Sequence, residues 1–288
     1  MGRLPRISIV TPCFNQGHFL ETTIKSVLSQ EYENLEYIVI DGGSTDGSVD
    51  IIKRYADRLA YWVSEPDGGQ AEAIIKGFQH SSGEIMGWLN SDDLLLSDCL
   101  TAVARTFIGL PTTQMMYGNI LIIDEYGHVV KEARQFQVGF HELYYGGHII
   151  NQEATFWTRG LYDRAGGLNR NLSYAMDYDL WVRMAEISHP LHVSRYLAAF
   201  RRHPSQKTTH MELYRMEMQA IQDRTRSARG ENPFAFAVKS GLCQTRLILR
   251  RCAVKLLRTR RYPAKNHRAA YFGFAAVKSV GRKSKRYG

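Results

Sequence analysis

Between Glu84 and Leu96 the chain reads Glu-Ile-Met-Gly-Trp-Leu-Asn-Ser-Asp-Asp-Leu-Leu-Leu. An apolar run ends abruptly in Asn90, Ser91 and two adjacent acids, Asp92 and Asp93, and the chain then turns apolar again. Two neighbouring carboxylates beside a core repel each other, and burying them is costly unless a cation or hydrogen-bond donors compensate. A hard divalent ion held by carboxylate oxygens meets that need. A solvated turn, with aspartate capping the following helix, is the other reading. Further along stand two more candidates, the acid Asp177 and the histidine His203.

The elements around these residues follow from periodicity. Ile7 to Val10 begins a strand ending at Thr11-Pro12, and Phe19, Leu20, Ile24, Val27 and Leu28 fall at helical spacing. Leu35 to Ile40 is a second strand, closed by Asp41-Gly42-Gly43-Ser44-Thr45-Asp46-Gly47. Tyr61 to Ser64 is a third, followed by Pro66-Asp67-Gly68-Gly69 and a helix through Ala71, Ile74, Ile75 and Phe78. Ile85 to Leu89 is the fourth. Strands alternating with helices at this repeat predict an α/β fold, a Rossmann-like, mostly parallel sheet covered on both faces. Ligands of such sheets bind beyond the carboxyl ends of the strands. Thr11-Pro12, Asp41, Glu65 to Gly69 and Asn90 to Asp93 all fall there, so four clusters converge on one edge.

The later sequence predicts a hairpin from Met115 to Ile123 and Val129 to Lys131, and a strand from Gln152 to Thr158. A helix from Asp177 to Ile187 and a strand from Leu191 to Phe200 follow, the latter leading into Arg201-Arg202-His203. We divide the chain into residues 1–110, which carry the converging clusters, residues 111–230, a second half of the same domain, and a basic helical extension, 231–288.

The 288 residues carry a net charge of +9, but from Lys239 onward there are 15 Lys or Arg and no acid. Residues 1–238 hold 22 basic against 28 acidic residues and sum to −6. That charge is wrong for a nucleic-acid binder, and no recognition module is legible. The four cysteines are far apart, nothing at the N-terminus has the apolar core of a signal peptide, and no apolar run approaches the roughly 20 residues of a membrane span. A cytoplasmic setting is expected.

Six segments carry a resemblance: Thr11-Pro12-Cys13-Phe14-Asn15, Asp41 to Gly47, Asp67-Gly68-Gly69-Gln70, Asn90-Ser91-Asp92-Asp93, Asp177-Tyr178-Asp179-Leu180-Trp181 and Arg202-His203. In order and approximate spacing they resemble the family 2 glycosyltransferases, over residues 5–207. The resemblance implies an A-type glycosyltransferase fold, a nucleotide diphosphate-sugar donor, inverting transfer to a hydroxyl of a glycan or lipid-linked acceptor, and Mn2+ or Mg2+. It places Thr11, Pro12, Asn15 and Asp41 at the nucleoside, the Asp41 carboxylate taking a pyrimidine N–H, which favours UDP and then dTDP. It adds Gly69, Gln70, Lys76, Asn90 and Ser91 to the donor site, sets Asp92 at the ribose, and gives the metal to Asp93 and His203. Asp177 becomes the catalytic base, although Met176 precedes it where the family usually has glutamate. His148, Gln152 and Trp181 fall at the acceptor side. Cell-envelope polysaccharide assembly is the context implied.

Chemistry supports these roles independently. Cleaving the bond from anomeric carbon to phosphate leaves growing negative charge, best stabilised by a metal and cationic or donor side chains. The acceptor hydroxyl needs a carboxylate to remove its proton. Asp179 competes with Asp177 for that task; two residues apart on a helix they point about 200° from each other, so one faces the cleft. The competing readings are a helix cap for Asp177, a strand-end residue for His203, a solvated lysine for Lys76 and a backbone-satisfying amide for Gln152. A glycoside hydrolase would also use paired acids but would leave Thr11-Pro12 and Asp41 without a task. A sugar-phosphate nucleotidyltransferase lacks its Gly-rich basic loop here.

In the extension, Leu242, Ile248, Leu249, Cys252, Ala253 and Leu256 fall on one helical face and Arg246, Arg250, Arg251, Lys255 and Arg258 on the other, with a second apolar run, Ala269 to Val277, before the cluster Arg282 to Arg286. Such a helix suits an anionic membrane surface, which would make the protein peripheral on the inner face of the cytoplasmic membrane. Packing on the catalytic body is the alternative.

Overall fold

The apolar run that opens the chain is β1 (Ile7–Cys13), buried at every position. The computed structural model describes residues 3–147 and 149–259. After β1 come α1 (Gly17–Leu28), β2 (Leu35–Asp41), α2 (Ser48–Arg54), β3 (Tyr61–Ser64), α3 (Gln70–Gln79), β4 (Ile85–Trp88), β5 (Leu94–Leu95) and α4 (Cys99–Gly109). The second half holds β6 (Met115–Ile123), β7 (Val129–Ala133), α5 (Phe140–Tyr144), β8 (Thr155–Thr158), α6 (Arg159–Arg164), α7 (Met176–Ile187), β9 (Leu191–Arg201), α8 (Met211–Ala228) and α9 (Pro233–Thr259).

One sheet runs through both halves in the order β3-β2-β1-β4-β8-β6-β9-β5, with β7 paired to β6. The first four strands are parallel, as the βα alternation predicts. Beyond β4 the sheet is mixed: β8, β7 and β5 pair antiparallel, while β6 and β9 are parallel. Alternation along β1 and β2 divides the core. Val10, Ile38 and Ile40 pack with Ile74, Phe78 and Trp181 on one face, and Ile9, Tyr37 and Val39 pack with Leu20, Ile24 and Leu100 on the other. Each such side chain contributes about 1.5–3 kcal/mol by leaving water.

The stretch Gln152 to Thr158 departs from the predicted single strand. Gln152–Ala154 forms a 3-10 turn and only Thr155–Thr158 joins the sheet. The turn lets Gln152 and Glu153 both be buried at the end of the sheet, where strand alternation would have sent them to opposite faces. α8 and α9 meet at a bend containing Gly230, at φ +59°. His148 and the segment from Ala269 lie outside the described residues. Among the described residues no helix is long and apolar enough to cross a membrane.

Candidate active site

At the carboxyl edge of the parallel strands Cys13, Asp41 and Ser64 stand side by side in register. Asp41 is fully buried and accepts four hydrogen bonds: Oδ2 from the Gly43 N–H (3.1 Å), the Ser44 N–H (2.9 Å) and the Ser64 hydroxyl (2.7 Å), and Oδ1 from the Ser44 hydroxyl (2.5 Å). Its carboxylate thus shapes the β2–α2 loop, with four donors on its roughly four lone-pair sites. Asn15, at φ +51°, ties the β1–α1 loop to the same loop by donating its N–H to Ser44 Oγ (2.7 Å) and accepting from the Thr45 N–H (2.9 Å). Thr11 is buried with its hydroxyl 3.0 Å from the Tyr37 hydroxyl, and Pro12 sits beside Ile40. Gly69, at φ +112°, turns the chain into α3, and Gln70 Nε2 donates to Asn90 Oδ1 (2.7 Å), joining that helix to the loop after β4. Lys76 reaches back to Glu65 Oε1 at 2.7 Å, so its ammonium is an ion-pair partner at the rim.

The acidic pair is divided by the fold. Asp93 is 1% exposed and turned inward, its Oδ1 accepting the Arg201 N–H (2.9 Å) and its Oδ2 lying 3.5 Å from the Asn90 amide nitrogen. Burial, with the charges of Asp92 and Glu153 added, pushes its carboxyl well above the usual range. Asp92 faces outward, and its Oδ2 lies 2.9 Å from His203 Nε2. The carboxylate that meets the histidine in this structure is therefore Asp92, which the resemblance set at the ribose while giving Asp93 and His203 to the metal. Ser91 is buried, its carbonyl accepting the Thr23 hydroxyl. The His203 ring is fixed by Ser205 Oγ at Nδ1 (3.0 Å) and by the Phe19 ring at 4.7 Å. Arg201, almost fully buried, donates Nε to the Asp92 carbonyl (2.8 Å) and its second arm to the carbonyls of Asp124 and Glu125, fastening the end of β9 to the acidic loop.

Asp177 opens α7 without capping it: the N-cap is Ala175, and Asp177 Oδ1 accepts the Tyr178 N–H (2.8 Å). Burial raises its carboxyl to about 6, and the nearby charge of Glu217 adds to the shift. Asp179 is fully buried and paired with both Arg183 (2.6 Å) and Arg224, which removes it as a competitor for the base. Trp181, expected at the acceptor side, is 0% exposed and packs against Trp88 and Trp157, so it belongs to the core. Gln152 donates Nε2 to the Trp88 carbonyl (2.6 Å), while its Oε1 has no hydrogen-bond partner among the described residues.

Two residues escaped the sequence reading. Glu153 is buried, its Oε1 has no partner among the described residues, and burial together with the charges of Asp177 and Asp92 lifts its carboxyl to about 7. It is the side chain that feels both ends of the site. A charged residue immediately before the run Ala154 to Trp157 was its signal. Glu217, on α8, accepts the N–H groups of Ser173 (3.0 Å), Tyr174 (2.8 Å) and Ala175 (2.7 Å), clamping the loop that delivers Asp177. Nothing in its sequence neighbourhood marks it.

The sequence model of the family described as "Glycosyl transferase family 2" matches residues 8–172, more than half of the chain. The chain belongs to this family. Two kinds of relative agree. An uncharacterized glycosyltransferase of Mycobacterium tuberculosis is 28% identical over 202 residues, covering 69% of this chain and 76% of its own, and a hyaluronan synthase of Pasteurella multocida is 24% identical, covering 68% and 20%. Among solved structures, a mannosyltransferase from Pyrobaculum calidifontis in complex with GDP-Man and Mn2+ superposes with a TM-score of 0.60 at 19% identity, over 88% of this chain and 81% of that one. TarS of S. aureus in complex with UDP-GlcNAc gives 0.59 at 15%, over 71% and 61%. The fold is that of the A-type glycosyltransferases.

Family 2 membership raises the question of a cation. Among the described residues no group of three His, Cys, Asp or Glu side chains is placed to hold one. Asp92 and His203 supply one oxygen and one nitrogen donor at the rim. Two protein donors do not make a closed cage, but they fit an ion whose remaining positions are filled by substrate phosphates and water.

Proposed function

We propose that this transferase moves a sugar, with inversion, from a nucleoside diphosphate to a hydroxyl of a glycan or lipid-linked acceptor in cell-envelope polysaccharide assembly, with UDP as the first donor nucleotide and dTDP the second. The observation that carries the reading is the Asp92–His203 pair, 2.9 Å apart at the end of the sheet, together with Asp177, a carboxyl raised to about 6, Asp92 and Asp177 both lying close enough to the buried Glu153 for their charges to raise its carboxyl.

In this reading the loops after β1, β2 and β4 bind the nucleoside, with the Asp41 carboxylate accepting the pyrimidine N–H in place of one of its loop donors. Asp92 and His203 would hold Mn2+ or Mg2+, which would supply positive charge against the departing diphosphate. Asp177 takes the proton of the acceptor hydroxyl; a carboxyl near 6 is largely ionised at neutral pH yet more basic than an ordinary aspartate. Gln152 Oε1 and the buried Tyr214 hydroxyl, both without partners among the described residues, are the polar atoms an acceptor would satisfy. His148 stays an acceptor candidate on sequence alone.

A screen of UDP-, dTDP- and GDP-sugars for release of nucleoside diphosphate tests the proposal. GDP is included because the P. calidifontis neighbour holds GDP-Man. Release from a UDP-sugar, dependent on a divalent ion and stimulated by a glycan or lipid-linked acceptor, is expected; release only from GDP-sugars would overturn the pyrimidine assignment.

A further inference from the structure

α9 is apolar on two opposite faces. One face docks on the body: Phe236 and Leu247 are buried, Cys243 is half-buried, and Ser240 donates to the Tyr145 carbonyl. These positions recur at 236, 240, 243 and 247, the spacing of a single helical stripe. The opposite stripe is in water. Phe234 is 79% exposed, Leu242 69% and Leu249 65%, with exposed Val238 between them and Ile248 at the edge. Leaving five large apolar side chains exposed on one helix has a cost in water, and a contiguous apolar strip of this kind marks a contact surface.

We propose that this outer stripe of α9 lies in the headgroup region of an anionic lipid surface, while the inner stripe keeps the catalytic body attached. The occupant is chosen by charge. α9 carries six Lys or Arg and no acid; Arg250 is engaged with the body, 3.6 Å from Glu142 and bonded to the Gln137 carbonyl, while Arg246, exposed beside the stripe, stands where a long cationic side chain reaches headgroups as neighbouring apolar groups enter the lipid. An RNA would use the charge but has no use for Phe234, Leu242 and Leu249. A second protein surface would use the leucines and has no need of the uniform positive charge.

The attachment also has an orientation. A Cβ built on Gly146 would collide with Leu247 Cδ1 and fall 3.1 Å from Cys243 Sγ, so α9 presses directly on the turn after α5. That turn leads through residues 149–151 into Gln152 and Glu153. A lipid surface against the outer stripe therefore lies about one helix diameter (~10 Å) from that turn. This rests on the proposed lipid-linked acceptor only for its purpose; binding itself is independent of the sugar transferred.

Vesicle flotation of the full chain tests it, with phosphatidylcholine alone and with phosphatidylcholine containing phosphatidylglycerol. Wild type should float with the anionic vesicles and be released by salt. Leu242→Glu/Leu249→Glu, at two exposed positions, should keep the fold and lower the bound fraction at least roughly tenfold. A chain ending at Thr259 should still bind. Phe234→Trp should add emission that shifts to the blue on adding anionic vesicles. Wild-type flotation by the leucine variant, binding lost only with residues 260–288, an unshifted emission from the Phe234→Trp variant, or retention by RNA but not by vesicles would each overturn the proposal.

Discussion

Asp177 is the residue on which the chemistry of this site can be read most directly. Its folded carboxyl holds a proton up to about pH 6, whereas an unfolded aspartate releases it near ~3.9. As the proposed base it works only when ionised, so kcat is expected to rise through about pH 6 and to level off above it. Because the folded state resists ionisation, stability falls as pH rises through that window, and the charged form remains a burden at neutral pH. Asp177→Asn should therefore lose on the order of 10²–10⁴ in kcat while gaining about 1–2 kcal/mol of stability. Glu217 faces Asp177 from α8, Glu153 faces it from the turn before β8, and the Tyr214 hydroxyl also lies within its electrostatic reach. Removing the charge in Glu217→Gln should move the acidic limb of the profile to lower pH, a shift that a merely structural role for Glu217 would not produce. Helical spacing allowed only one of Asp177 and Asp179 to face the cleft, and the pairing of Asp179 with Arg183 and Arg224 leaves Asp177 as the proposed base. It could not tell Asp92 from Asp93, because adjacent residues in a turn are assigned inside or outside by the chain packed against them, here the end of β9.

At the scale of elements, the parallel half was legible because each strand is a short apolar run closed by Asp, Gly or Pro, and each helix shows its buried stripe. β5 was not: two residues form a strand only because Ala198 and Ala199 of β9, roughly a hundred positions away in sequence, come to pair with them. The turn at Gln152–Ala154 was missed for a similar reason, since its purpose is to bury two polar side chains that only the completed cleft can explain. Close packing of α3 on β1 gives this level its own prediction. A Cβ at Gly77 would collide with Val10 Cγ1 and lie 2.9 Å from Cγ2, on a β-branched side chain in a fully buried strand. Gly77→Ala should cost about 1–3 kcal/mol by overpacking, seen as a lowered thermal midpoint. A midpoint equal to that of wild type would mean that helix and strand separate more easily than their contact suggests.

For the molecule as a whole, the account depends on loops distant in sequence meeting at one rim. The contacts form a continuous path: Asp41 organises the β2–α2 loop, Gly42 lies against the Asp67 carboxylate, Gln70 holds Asn90, and Asp92 meets His203 across 111 positions. Glu153 then relates Asp92 to Asp177. The first half carries the carboxyl edge of the parallel strands and the second brings His203 against Asp92, so in the proposed reading neither half forms the site alone. Calorimetric titration of UDP with and without Mn2+ on wild type, Asp92→Ala and Asp93→Asn tests this most directly. The account predicts that Mn2+ strengthens UDP binding to wild type and Asp93→Asn but not to Asp92→Ala; a metal effect abolished in Asp93→Asn and intact in Asp92→Ala would contradict it.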